Sequence, residues 1–128
     1  MAAMGASWAI SDFLRQELDE SRVETILNVP VPEVFGPPPA RTWGEVTYLC
    51  HDGHLSWDRG LKVMVEAARI VARDHRVVLR IVGDVFGEER KWLDGYLAQH
   101  ACAGLVERTG WLPYSEVGNA LAPCHIGL

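Results

Sequence analysis

The sequence predicts an α/β fold: part of a doubly wound, Rossmann-like parallel sheet, cut off at its C-terminal side. Three observations predict it. The apolar runs Val77–Val82 and 105–109 are each followed by a glycine turn and then by a helical pattern. From residue 45 onward, strand and helix patterns alternate strictly, as right-handed βαβ crossovers require. A further apolar run, 124–128, opens at the last residues of the chain. The sequence therefore reads as the front part of a larger domain.

The elements follow in order. Residues 6–10 read as the tail of a strand, and Ser11 as the cap of a short helix over 12–18 with acid in its first turn. Residues 23–27 read as a short strand. The segment 29–42 holds Pro30, Pro32, Pro37, Pro38 and Pro39, which a regular ladder does not accommodate. A boundary therefore falls there, with one unit over 1–42 and another over 43–128. Residues 45–50 form a strand. Leu61, Met64, Val65, Ala68, Val71 and Ala72 recur at helical spacing, predicting a helix to about Asp74. Val77–Val82 is nearly continuous in apolar residues, as a parallel strand covered on both faces should be. Trp92, Leu93, Tyr96, Leu97 and His100 make the next helical stripe, with His100 packed on it. A strand over 105–109, a helix over 114–122 with Val117, Ala120 and Leu121 inward, and a strand opening at Ile126 complete the series.

Composition narrows the function classes. The chain has 128 residues, 48% of them hydrophobic, and a net charge of −5. The length suits one domain of ordinary size. The acidic balance argues against nucleic acid as a partner. No run approaches the roughly 18 apolar residues of a membrane span, and the start lacks the pattern of a signal peptide. Cys50, Cys102 and Cys124 are odd in number and lack CxxC spacing. They predict reduced thiols and a cytoplasmic location. The five histidines match no metal-ligand spacing, so no metal site is expected.

In open parallel sheets, ligands bind beyond the carboxyl ends of the strands, which directs attention to three loops. The first carries Gly53, His54, Ser56, Asp58 and Arg59. Ser56 reads as the helix cap, with Asp58 and Arg59 in the first turn. Arg59 and His54 supply positive groups beside free helix N–H donors, an arrangement that suits phosphate oxygens. The same residues also read as a capped helix with a solvated arginine. The second loop carries Gly83 and Asp84, the latter either an acceptor for a ligand hydroxyl or a turn cap. The third is Gly110-Trp111-Leu112-Pro113. There Trp111 walls a base pocket or joins the core, and Pro113 takes the first helical position. Neither the P-loop nor the GxGxxG pattern is present.

Taken in series, these segments resemble a known family. Ile26-x-Asn28…Phe35, Gly53-His54-Leu55-Ser56-x-Asp58-Arg59-Gly60, Glu66-Ala67-Ala68, Ile81-Val82-Gly83-Asp84 and Gly110-Trp111-Leu112-Pro113 together resemble retaining glycosyltransferases of the GT-B type, family 4. The resemblance runs over nearly the whole chain. It implies that 1–42 is the tail of an acceptor domain with the interdomain linker, and that 43–128 is the first half of a nucleotide-sugar-binding domain. It implies transfer of a sugar from a nucleotide diphosphate sugar to an acceptor hydroxyl by the full-length enzyme. The partners are then that donor and an acceptor, with any membrane contact made through regions outside this sequence.

The resemblance assigns Arg59 and His54 to the departing diphosphate, in place of a metal or other cofactor. The family has arginine where this chain has His54 and lysine where it has Arg59, so both depart from the pattern: Arg59 keeps the charge, and His54 does not guarantee it. Gly53, Asp84, Trp111 and Leu112 resemble positions that line the nucleotide. The family's paired glutamates would lie beyond Leu128, and the sequence as it stands is expected to be inactive. A non-catalytic nucleotide-binding or degenerate glycosyltransferase-like module is the alternative. A nicotinamide-dependent dehydrogenase domain is a third reading, weakened by the missing GxGxxG.

Overall fold

The computed structural model describes residues 3–5, 8–26 and 43–128. The chain forms two compact units, Met1–Pro32 and Glu33–Leu128. The proline-rich segment 29–42 lies outside the described residues.

In the first unit, β1 (Ala3–Gly5) pairs in parallel with β2 (Val23–Thr25), and α1 (Trp8–Glu17) connects them. Two parallel strands need a crossover between them, and α1 is that crossover. This corrects the expected strand over 6–10, because residues 8–10 are already helical. Ser11 is likewise no cap. It lies inside α1, fully buried, and its hydroxyl has no hydrogen-bond partner. Arg15 ties the helix to β2 through the Thr25 hydroxyl at 3.2 Å.

The second unit holds β3 (Thr47–Asp52), α2 (Leu61–Val71), β4 (Val77–Val82), α3 (Gly87–Gln99), β5 (Val106–Arg108), α4 (Tyr114–Leu121) and β6 (Ile126–Gly127). The strands are all parallel, in the order β5-β4-β3-β6. This is the order of the first four strands of a doubly wound sheet. The chain walks from β3 to β5, then returns through α4 to place β6 on the far side of β3. Right-handed crossovers put α2 and α3 on one face and α4 on the other.

The sheet's central strand, β4, buries Val77, Leu79 and Ile81 against Leu61, Val65 and Ala68 of α2 and Leu93 and Leu97 of α3. Its single interruption, Arg80, points to the opposite face. There it lies 4.5 Å over the Tyr48 ring and pairs with Glu107 at 2.9 Å. On α2 and α3, Glu66, Arg69 and Tyr96 form one network: Arg69 Nε donates to the Tyr96 hydroxyl at 2.7 Å, and that hydroxyl donates to Glu66.

Several boundaries differ from expectation. The α2 helix ends at Val71, and Asp74 sits in the turn beyond it. A 3₁₀ turn, Ala103–Leu105, shortens the expected strand over 105–109. His100 is exposed rather than packed, its ring 4.4 Å from that of Tyr96. Pro113 is the residue before α4, not its first helical position.

Candidate active site at the carboxyl ends of the strands

The loop after β3 is shaped by its own backbone. The Ser56 carbonyl accepts from the Arg59 and Leu61 amides at 3.2 and 3.1 Å, closing a turn over 56–60. Gly60 then leaves the turn at φ +82°, where glycine alone is unstrained. The cap of α2 is therefore Gly60 and not Ser56. Asp58 and Arg59 precede the helix instead of occupying its first turn. The competing preference is clear: Ser56 spends its backbone carbonyl on the turn, so the helix starts one glycine later.

The three loops are laced together past the ends of the strands. The Gly53 amide donates to the Val82 carbonyl at 2.8 Å, and the Leu55 amide to the Asp84 carbonyl at 3.2 Å. On the other side the Thr109 amide donates to Ile81 and the Gly110 amide to Gly83, both at 3.0 Å. The Thr109 hydroxyl accepts from the Gly83 amide at 3.1 Å. Gly83 lies so close to the first loop that a Cβ there would stand 2.1 Å from the Gly53 carbonyl oxygen.

Above this floor is a pocket of about 370 Å³ lined by Asp52, Gly53, His54, Val82, Gly83, Asp84, Phe86, Trp111, Leu112, Tyr114, Val117 and Leu121. Its size falls in the range of small-molecule sites, roughly 300–1,000 Å³. Gly53, His54, Asp84, Trp111 and Leu112, expected from five separate positions in sequence, meet here. Arg59 does not line it and is exposed on the turn before α2. Asp52, Phe86 and Tyr114 line the pocket without having been expected. Asp52 and Phe86 belong to the predicted loops and Tyr114 adjoins one, and that placement was the available signal.

The walls are aromatic. His54 and Phe86 meet at 5.2 Å with rings tilted by 49°. Trp111 is 83% exposed and belongs to the rim, not to the core. Asp84 is engaged on both oxygens: Oδ1 accepts from the Val85 amide at 2.8 Å, and Oδ2 lies 3.7 Å from the Arg90 guanidinium. Asp84 thus serves as a turn cap, one of its two expected roles. Among the described residues no three potential metal ligands cluster, and no helix is long and apolar enough to cross a membrane.

Comparison with known proteins gives the fold a wider setting. No family model and no curated protein matches the chain. Solved structures do. The crystal structure of TarM superposes with a TM-score of 0.67 over 98% of this chain, at 14% identity. The Anabaena protein Alr3699/HepE, solved in complex with UDP and glucose, gives 0.67 over 98% at 15% identity. The chain has their fold. It spans only 24% of TarM and 36% of HepE, and at these identities the likeness is one of architecture. The doubly wound parallel sheet expected from sequence is thereby established.

Proposed function

We propose that this chain supplies the first half of the nucleotide-sugar-binding domain of a retaining glycosyltransferase of the GT-B type that uses a nucleotide diphosphate sugar. One observation carries the reading: three loops from successive parallel strands converge on one aromatic-walled pocket at the carboxyl end of the sheet, where such sheets bind ligands. HepE, which shares the fold, is described with UDP and glucose, and that agreement supports the nucleotide class. In the whole enzyme the anomeric carbon would exchange its bond to the diphosphate oxygen for one to the acceptor hydroxyl, with retention of configuration. The acceptor hydroxyl's proton would pass to the departing diphosphate oxygen. His54 on the pocket wall and Arg59 on the same loop are the proposed groups facing that departing charge, without a metal.

Calorimetric titration with UDP, GDP and NADH tests the reading. Saturable binding of UDP or GDP, with NADH weaker by about tenfold or more, is expected. Tighter binding of NADH, or no binding of any nucleotide, overturns it.

A further inference from the structure

The guanidinium of Arg59, assigned to the departing diphosphate, has little of its own to hold it. Arg59 is exposed on the turn before α2, and among the described residues its side chain has no hydrogen bond or ion pair. Where it stands is therefore decided by the turn. That turn has two supports, and the first is backbone. The Ser56 carbonyl accepts from the Arg59 and Leu61 amides, and the Trp57 carbonyl accepts from the Gly60 amide at 3.0 Å. All three bonds lie within residues 56–61, so they set the shape of the turn and not its place against α3.

The second support is a side chain. Trp57 meets Trp92 of α3 edge to face, with ring centres 5.2 Å apart and planes at 74°. Lys62, in the first turn of α2, holds its ammonium 4.6 Å from the centre of the Trp57 ring and 5.7 Å from that of Trp92. Aromatic pairs in this geometry attract beyond the area they bury, and an ammonium over the ring adds to the hold. Trp92 is a firm partner. It is half-buried against the core, and its ring lies 5.1 Å from that of Tyr96, whose hydroxyl is bound by Arg69 and Glu66 of α2. We infer that Trp57 is a positioning residue for Arg59: clasped between Trp92 and Lys62, it keeps the 56–60 turn against α3 and so narrows where the guanidinium can stand before a ligand arrives. Order established in advance is order that binding need not create. The inference rests on the assignment of Arg59 to the diphosphate and adds what holds it there.

The experiment titrates UDP and uridine, or GDP and guanosine where GDP binds tighter, against the whole chain and its variants. The nucleoside lacks the diphosphate, so the diphosphate-to-nucleoside affinity ratio isolates what Arg59 supplies, and a general weakening of the fold leaves it unmoved. Arg59→Ala should lower the ratio about tenfold or more. Trp57→Ala should lower it about threefold, with nucleoside affinity changed by less than about twofold. Trp92→Ala, on a different element, should do the same, and Trp57→Phe, which keeps a ring on Trp92, should restore most of the ratio. Trp57→Leu and Trp92→Leu replace any alanine variant that loses the wild-type circular dichroism. The double variant Trp57→Ala/Arg59→Ala should match Arg59→Ala alone, because residues that act through one another do not add. An unchanged ratio in the tryptophan variants, or losses that multiply in the double variant, overturns the inference and leaves the nucleotide reading standing. An unchanged ratio in Arg59→Ala removes Arg59 from the site and overturns the inference with it, and absence of binding by both pairs overturns the nucleotide reading as well. Hydrogen exchange tests the clasp without any ligand. In Trp92→Ala the Arg59 and Leu61 amides should exchange about fivefold faster or more, while the Gly53 amide, bound to Val82, keeps its rate. Equal rates at Arg59 and Leu61 overturn the inference.

Discussion

The two ends of the parallel sheet make an instructive pair. At the amino end a hollow of about 540 Å³ is lined by Ala72 to Val78, Val46, Cys102, Gly104 and Leu105. It is larger than the pocket at the carboxyl end, about 370 Å³. Yet the amino-end hollow is only the gap between turns that enter the strands. Arg76 in its lining is largely exposed and pairs at 3.0 Å with Glu45, which is largely exposed too. A glycine at this end, Gly104, has open space where a Cβ would go. At the carboxyl end the loops are bound to each other by backbone, and Gly83 has no room for a single added atom. The difference teaches that size is a poor guide to a site. Close backbone approach and converging side chains from several strands are better ones.

Substitution of the two glycines should break the symmetry most sharply. Gly83→Ala adds a Cβ against backbone at a φ of +149°. Overpacking and strain together should cost about 2–5 kcal/mol in a urea unfolding experiment. Gly104→Ala should stay within about 0.5 kcal/mol. Equal losses at the two positions would erase the distinction drawn here.

The rim and the floor should separate next. Trp111→Ala removes an 83% exposed ring, so the melting temperature should barely move. Stacking on an aromatic side chain is worth about 1–3 kcal/mol per base, so nucleoside affinity should fall by about tenfold when titrated. Unchanged affinity would take Trp111 out of the site. At the amino end, Arg76→Ala breaks an exposed ion pair and should cost between zero and about 1 kcal/mol. A larger loss would show that this end is more than a set of turns.

The smallest effect lies between the two ends, where Glu66 faces Arg69 and Tyr96. Hydrogen bonds from Arg69 and then from Tyr96 hold the Glu66 carboxyl at about 2, below its ordinary 4.5. A carboxyl lowered on folding stabilises the fold above its unfolded value, and the contribution fades as pH falls from about 4.5 toward 2. The melting-temperature difference between wild type and Glu66→Gln should therefore be present at neutral pH and shrink across that interval. A difference that is constant down to pH of about 2 would mean that the network does not sense the charge.

The second unit was legible in sequence because its signals are local. The apolar run of β4 and the helical stripe of α2 declare themselves within a few residues of each other. The misread places are those where a distant partner decides. Residues 8–10 are apolar and pass for a strand until β1 and β2 are seen to need a helix between them. Ser56 has the chemistry of a cap, but a turn closed by its own carbonyl moves the start of α2 to Gly60. The pocket residues on the three loops were visible because strand ends are where such sheets bind ligands. Asp52, Phe86 and Tyr114 were not, since their part in the lining depends on how the loops fold toward one another. The contact of Gly83 with the Gly53 carbonyl joins residues on different loops, and no spacing rule reports it.

The lacing of those loops has a consequence for exchange with solvent. The amides of Gly53, Leu55, Thr109 and Gly110 continue the sheet's bonding beyond the strands. In heavy water they should retain their protons nearly as long as the interior of β4, although loop amides usually exchange early. A floor held in this way is already in place when a ligand arrives, so binding need not spend free energy on ordering it. Phe86, Trp111 and Tyr114 stand around that floor largely in solvent. Substituting any of them should therefore change the walls of the pocket without disturbing the backbone that carries them.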